Sequence, residues 1–219
     1  MLEVSILYVK PELSKEEFGI LLSLVSMERR ARVHKFLHWQ DACNCLLGDA
    51  LPRIEICRAT KLNNKQLAFA VNEFGKPYLT QNVSIHFNVS HSGYYVACAI
   101  SDTPVGIDIE CLRPIDLKVA ERFFTSDEIA YIATKSGDIH RFYEVWTKKE
   151  ARIKLDGRGL SMPLSSFSVF ESREFEDLNY FEVLCSDDAI CHICTSKQSI
   201  SSIKIIDMPS FMQQAQQLN

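Results

Sequence analysis

Residues 84–111 read SIHFNVSHSGYYVACAISDTPVGIDIEC, and the fold class turns on them. Two runs, SIHFNV (84–89) and YYVACAI (94–100), are rich in the β-branched and aromatic residues that suit strands. Ser90 to Gly93 separate them as a turn. A break at Ser101–Pro104 follows, and then a third run, VGIDIE (105–110), which ends near Cys111. The break is the best place to divide the chain, into 1–103 and 104–219.

Helix and strand signals lie on both sides of that break. LEVSILYV (2–9) opens as a strand. Ser14 and Glu17 have capping-box spacing, and Phe18, Leu21, Leu22 and Val25 recur at helical spacing behind them. Ser26 caps a short basic helix through ERRARVHKFL. Residues 39–57 continue as helix, with Pro52 expected to kink or end it. NEFGKPY (72–78) reads as a loop. After the break, helices are expected at 116–124, 126–134 and about 138–155. Strands FSVF, YFEVLC, AICHICT and SIKII should follow between about 165 and 207. The last dozen residues are polar and Gln-rich and read as a frayed tail. The order of elements makes the fold α+β.

The 219 residues are enough for one large or two small domains with a sizeable core. The net charge of −4 gives no reason to expect nucleic acid, so any anion site must be local. No uncharged apolar run has the length of a membrane span, and no basic-then-apolar leader opens the chain. The eight cysteines are scattered and read as reduced thiols of a cytoplasmic protein. Cys191 and Cys194 have C-x-x-C spacing, which also suits the strand AICHICT, and no second pair completes a zinc site.

Four groups of residues could carry chemistry. Asp108 and Glu110, two apart in a strand, share a face about 6–7 Å apart. Two carboxylates so placed repel unless a cation shields them, and Mg²⁺ prefers such oxygen ligands. A solvated acidic edge strand would show the same spacing. Glu150 and Lys154 stand at i and i+4 on one helix face, as a third ligand beside a phosphate-binding lysine or as a surface ion pair. Arg29 and Arg32 could grip one phosphate, or form an ordinary solvated face. Ser90 and His91 suggest a hydrolase triad with Asp108, but no G-x-S-x-G elbow surrounds the serine. Lys76 adds one cation on the rigid loop Gly75-Lys76-Pro77.

The order of these pieces is more specific than any one of them. The chain runs HWQDACNCLLGDAL (38–51), FGKPY (74–78), FNVSHSG (87–93), VGIDIE (105–110), RFFTSDE (122–128) and FYEVWTKKEARIKLDGRGL (142–160). From its first strand to about Val169 it resembles the 4′-phosphopantetheinyl transferases of the surfactin-synthetase type. The resemblance implies two pseudo-symmetric α/β halves with the active site in the cleft between them. It implies coenzyme A as donor, Mg²⁺ as cofactor, and a serine of an acyl or peptidyl carrier protein as acceptor. It makes Asp108, Glu110 and Glu150 the metal ligands, with Asp108, Glu150 and Lys154 in the chemistry. Ser90, His91, Lys76 and Lys154 would contact the coenzyme, and Arg29 and Arg32 would hold the phosphate on its ribose. Two positions depart from the pattern: Asn44 stands where the family usually has arginine, and Pro52 is unusual in its helix.

The serine nucleophile needs a base, either Glu150 or a metal-bound hydroxide. The expected protein is a cytoplasmic monomer. A catalytically silent coenzyme A or carrier-binding module is the alternative, though such a module has no need of all of Asp108, Glu110, Glu150 and Lys154. A metal-dependent phosphodiesterase would use the same carboxylates and would release phosphopantetheine without a carrier.

Overall fold

The computed structural model describes residues 1–9, 13–134, 138–170 and 177–218. The chain opens with strand β1 (Leu2–Tyr8) and helices α1 (Lys15–Leu24), α2 (Met27–Val33) and α3 (Trp39–Thr60). A short hairpin, β2 (Phe69–Val71) and β3 (Pro77–Leu79), precedes β4 (His86–Ser92) and β5 (Tyr95–Ser101). The second part runs β6 (Val105–Cys111), α4 (Val119–Phe123), α5 (Ser126–Ala133), α6 (Ile139–Asp156), β7 (Asn179–Glu182) and β8 (Ala189–Thr195). It closes with β9 (Ser202–Ile206) and α7 (Met208–Gln217).

Two larger sheets result, in the orders β4-β5-β1-β9 and β6-β8-β7. The α+β expectation holds, and the two halves share a plan. Each begins with a seven-residue strand, passes through three helices of which the last is long, and ends on an antiparallel pair. In each, the last strand of that pair lies antiparallel beside the first strand of the half. The order β4-β5-β1 is therefore repeated as β7-β8-β6.

Strand alternation sorts the core into layers. Leu7, Val96, Cys98 and Ile100 face the helices, among them Leu46, Leu47 and Leu51 of α3. Leu2, Val4, Ile6, Ala97 and Ala99 face the other way, onto Val105, Ile107, Ile109, Cys191 and Ile193 of the second sheet. The far side of that second sheet carries α6, whose Phe142, Val145 and Ile153 pack with Phe124, Phe167 and Ile190. Every residue of β5 and β8 is buried, as strands covered on both faces must be.

Several local expectations need correction. Helix α3 runs through Pro52 to Thr60. The lost backbone bond costs about 3 kcal/mol, and burial of Leu51, Ile54, Ile56 and Cys57 outweighs it. The turn after β4 is at Gly93 and Tyr94, so Ser90 and His91 lie within the strand. Phe167–Phe170 form no strand; Phe167 and Val169 are instead buried beside α6, and Val169 N donates to Glu128 Oε1 at 2.8 Å. The strand expected from YFEVLC is β7, and it stops at Glu182.

The tail is the largest departure. Asp207 caps α7, with Pro209 in its first turn, and Met208, Phe211, Met212 and Ala215 pack into the first core. Strand β9 likewise pairs in parallel with β1. A division at 103/104 therefore stays a proposal, with residues 202–217 returned to the first half by packing. Phe211 is fully buried. Phe211→Ala should cost about 3–5 kcal/mol and lower the melting temperature by roughly 10 °C. A frayed tail would lose nothing, and thermal unfolding followed by circular dichroism decides between them.

Candidate active site

The site is built where β6 meets β4 and α6. Val105, Ile107 and Ile109 are committed to the core, so Gly106, Asp108 and Glu110 must face α6. Helix α6 comes very close there: a Cβ on Gly106 would stand 1.9 Å from Ala151 O. Only glycine permits that approach, and it brings Glu150 and Lys154 down onto the carboxylate strand.

The other wall is β4. Three alternate residues of FNVSHS point at β6. Asn88 Oδ1 accepts from Ile107 N at 2.8 Å. Ser90 Oγ donates to Asp108 Oδ1 at 2.8 Å, and Ser92 Oγ to Glu110 Oε2 at 2.7 Å. Ser92 Oγ also accepts from Cys111 N at 3.1 Å. Asn88 and Ser92 were not among the residues expected in the site, although the period-two polar alternation of 88, 90 and 92 marks them as one strand face.

Lys154 closes the group. Its Nζ lies 2.7 Å from Asp108 Oδ1 and 2.8 Å from Ser90 Oγ. The surface ion pair with Glu150 is not formed; the lysine reaches inward instead. Asp108 is only 3% exposed, which rules out a solvated acidic edge. Its Oδ2 is buried without a hydrogen-bond partner. Glu110 and Glu150 are half-buried. Burial raises both carboxyls above their ordinary values, and the charge of Asp108 pushes the same way. Glu150 has no hydrogen-bond partner among the described residues.

Three carboxylates thus share one short-range field with one ammonium among them. Among the described residues, no three His, Cys, Asp or Glu side chains form a ready-made metal cage. The donor set nevertheless fits a hard divalent cation. The orphaned Asp108 Oδ2 lacks a positive partner, and the two raised carboxyls are all-oxygen donors. An imidazole is close but neutral: His192, opposite Asp108 in the β6–β8 register, is pushed down to about 3, chiefly by burial. Its Nδ1 bonds Thr147 Oγ1 at 2.7 Å, which fixes α6 to β8.

The remaining expected residues line cavities around this centre. One of about 300 Å³ is bounded by Phe74, Lys76, Asn88, Glu150, Lys154 and Gly157. Lys76 Nζ donates to Leu155 O at 3.0 Å, and burial lowers its pKa. A second, of about 290 Å³, is bounded by Arg29, Arg32, Asn44, Cys45, Gly48 and His91. Arg29 Nε is held by Asp49 Oδ2 at 2.7 Å, and Asp49 Oδ1 takes the buried Arg53 at 2.5 Å. Asn44 is buried and accepts from Gln40 Nε2 at 3.2 Å. Cys191 and Cys194 are both buried in β8, and no cysteine is in a disulfide.

Known proteins are similar to this chain in sequence. Residues 104–207 match the model of the 4′-phosphopantetheinyl transferase superfamily, and residues 10–103 match the model of the N-terminal part of 4′-phosphopantetheinyl transferases. The 4′-phosphopantetheinyl transferase Sfp of Bacillus subtilis is 42% identical over 165 residues, 74% of each chain. The 4′-phosphopantetheinyl transferase gsp of Aneurinibacillus migulanus is 33% identical over 216 residues, 94% of this chain and 90% of that one.

The chain belongs to the 4′-phosphopantetheinyl transferase superfamily.

The three carboxylates have different surroundings, and stability can read the difference. Glu150 is repelled without a bonded partner, so Glu150→Gln should raise the melting temperature of the free protein by roughly 2–4 °C, about 1 kcal/mol. Asp108→Ala should lower it, because Ser90 and Lys154 lose their shared acceptor. Added Mg²⁺ should stabilise the unaltered protein and leave Asp108→Ala unmoved. Equal stabilisation of both would remove Asp108 from the ligand set.

Proposed function

We propose that this transferase moves the 4′-phosphopantetheine group of coenzyme A onto a serine of an apo acyl or peptidyl carrier protein. The observation that carries the reading is the contact of Lys154 with Asp108 and Ser90 across the two halves, with Glu110 and Glu150 beside it. Asp108, Glu110 and Glu150 would hold Mg²⁺, which supplies charge neutralisation at the pyrophosphate.

The chain's own groups do the rest. Lys154 offers an ammonium at the reacting end of the cavity, where charge develops on the departing phosphate. Ser90 holds that ammonium in place through Oγ. The carrier serine attacks the phosphorus that bears the pantetheine arm. Its bond to the adenosine 3′,5′-bisphosphate breaks, and the hydroxyl proton passes to a base. Glu150 is suited to that role because burial and its neighbours raise its proton affinity. Arg29 and Arg32 face a cavity away from the carboxylates, as a separate phosphate on the ribose would require. His91 lines the same cavity, and Lys76 and Ser90 stand nearer the centre.

Cytoplasmic location and a monomeric state complete the proposal. Eight thiols outside any disulfide fit a reducing compartment. Among the described residues, no helix is long and apolar enough to cross a membrane.

Incubation with coenzyme A, Mg²⁺ and a panel of apo carriers, read by intact mass, tests the activity. One carrier or more should gain a single phosphopantetheine. Binding of coenzyme A with no mass change on any carrier would leave only a silent binding module, and free phosphopantetheine would indicate hydrolysis.

The arginine pair has its own test. Arg29→Ala and Arg32→Ala should each raise KM for coenzyme A about ten- to hundredfold, since charge-assisted bonds contribute roughly 1.5–3 kcal/mol. Dephospho-coenzyme A should be far less affected. Equal losses on both donors would make the pair an ordinary solvated face.

A further inference from the structure

Asn72 lies on the loop between β2 and β3, and it serves neither the carboxylate centre nor the arginine cavity. Its side chain is nonetheless bonded through both its oxygen and its nitrogen. Oδ1 accepts from Phe74 N at 3.0 Å and from Lys76 N at 2.8 Å. Nδ2 donates to Gly157 O at 2.9 Å, 85 residues away. The first two bonds fold the loop on itself as an Asx turn. The third ties it to the far half of the molecule.

The end of α6 is shaped to receive that bond. A helix leaves its last carbonyls without partners. Here Lys76 Nζ takes Leu155 O and Asn72 takes Gly157 O. Gly157 caps the helix with φ 85°, and a Cβ there would stand 2.9 Å from Lys76 Cδ and 3.3 Å from Asn72 Nδ2. Loop and helix end interlock with no room for a side chain between them.

These two segments also form opposite walls of one space. Phe74, Gly75 and Lys76 bound the cavity of about 300 Å³ on one side, and Glu150, Lys154 and Gly157 on the other. The loop belongs to the first half and the helix to the second. The bond from Asn72 to Gly157 therefore sets how the Lys76 wall stands against the helix that carries Glu150 and Lys154. Lys76 Nζ also reaches the helix end, but through a long flexible side chain, whereas the short Asn72 amide holds the loop backbone itself at a set distance.

We propose that Asn72 is a positioning residue: it latches the 72–76 loop to the end of α6 and so fixes the width of the coenzyme cavity. The proposal rests on the transferase reading for the identity of the ligand. Asn72 touches no reacting atom and acts through Lys76. Its amide is suited to the task because one short side chain supplies an acceptor to the loop and a donor to the helix end.

Two substitutions isolate the latch. Asn72→Asp keeps an acceptor for Phe74 N and Lys76 N but turns an oxygen towards Gly157 O. Gly157→Ala disturbs the same contact from the other half. Calorimetric binding of coenzyme A to the free protein is measured first, and turnover with an apo carrier that the unaltered protein modifies second. Each variant should weaken coenzyme A binding about three- to tenfold, the equivalent of one hydrogen bond, with kcat changed less than about twofold. Asn72→Ala should bind about as weakly as Asn72→Asp, since the loop's own turn is not the source of the effect. Asn72→Asp binding coenzyme A as tightly as the unaltered protein would overturn the latch. Failure of the unaltered protein to bind coenzyme A would instead overturn the transferase reading, so the two failures are distinct.

Discussion

The seam between β4 and β6 is the constraint on which the rest depends. Strand β6 is an edge of its sheet, and an edge leaves backbone donors unpaired. Those of Ile107 and Cys111 are taken by side chains of β4, from Asn88 and Ser92, and not by a backbone ladder. Side-chain bonding at every second residue holds two strands together while keeping their backbones apart. The space so preserved is where Asp108, Glu110 and Ser90 meet Lys154. A continuous ladder would have sealed it.

Placing three carboxylates at that seam costs stability, and the neighbouring contacts decide how it is tolerated. Lys154 satisfies one oxygen of Asp108 and leaves the other bare. Burial penalises ionised Glu110 and Glu150, and Asp108 adds repulsion. The packing of α6 holds the group together against this. Gly106 allows the close approach, and the fully buried Lys149 anchors the outer face through Glu128 at 2.8 Å and the carbonyls of Leu164 and Phe167. Packing thus holds three carboxylates and one ammonium in place against the carboxylates' mutual repulsion, the preorganisation that the proposed chemistry needs.

Much of this was legible in the sequence where the signal is local. The alternation of VGIDIE places Asp108 and Glu110 on one face whatever surrounds them, and i, i+4 spacing does the same for Glu150 and Lys154. What spacing could not supply was the partner. Lys154 has a glutamate one turn away, yet it bonds a residue 46 positions upstream. Asn72 read as loop residue, because its partner on α6 lies in the other half. Pro52 does not end its helix and the Gln-rich tail is not frayed, for a related reason: propensity and polarity are local, whereas burial of Ile54 or Phe211 is decided by tertiary contact. The doubled architecture came from the family resemblance and not from the residues themselves, because it repeats element order and strand pairing while the side chains differ.

That difference explains why β6, and not β1, presents carboxylates to the space between the halves. Aligned start to start, LEVSILY of β1 and VGIDIEC of β6 have the same core face, Leu2, Val4 and Ile6 against Val105, Ile107 and Ile109. On the opposite face Glu3, Ser5 and Leu7 correspond to Gly106, Asp108 and Glu110. Both strands are flanked on one side by the last strand of their own half, β5 or β8. The other edge is what separates them. Strand β9 fills the edge of β1 with a parallel ladder, and Leu7 is sealed beneath the helices. At β6 the same edge is met by the serines and asparagine of β4, which leave a polar gap instead of a closed sheet. One half is thus completed as scaffold by the returning C-terminal strand, and the other is left open where the two halves meet. The one carboxylate on that face of β1, Glu3, is taken up by Arg58 and Lys204 and faces no gap, whereas at β6 two carboxylates share an open polar edge with the serines of β4 and with Lys154.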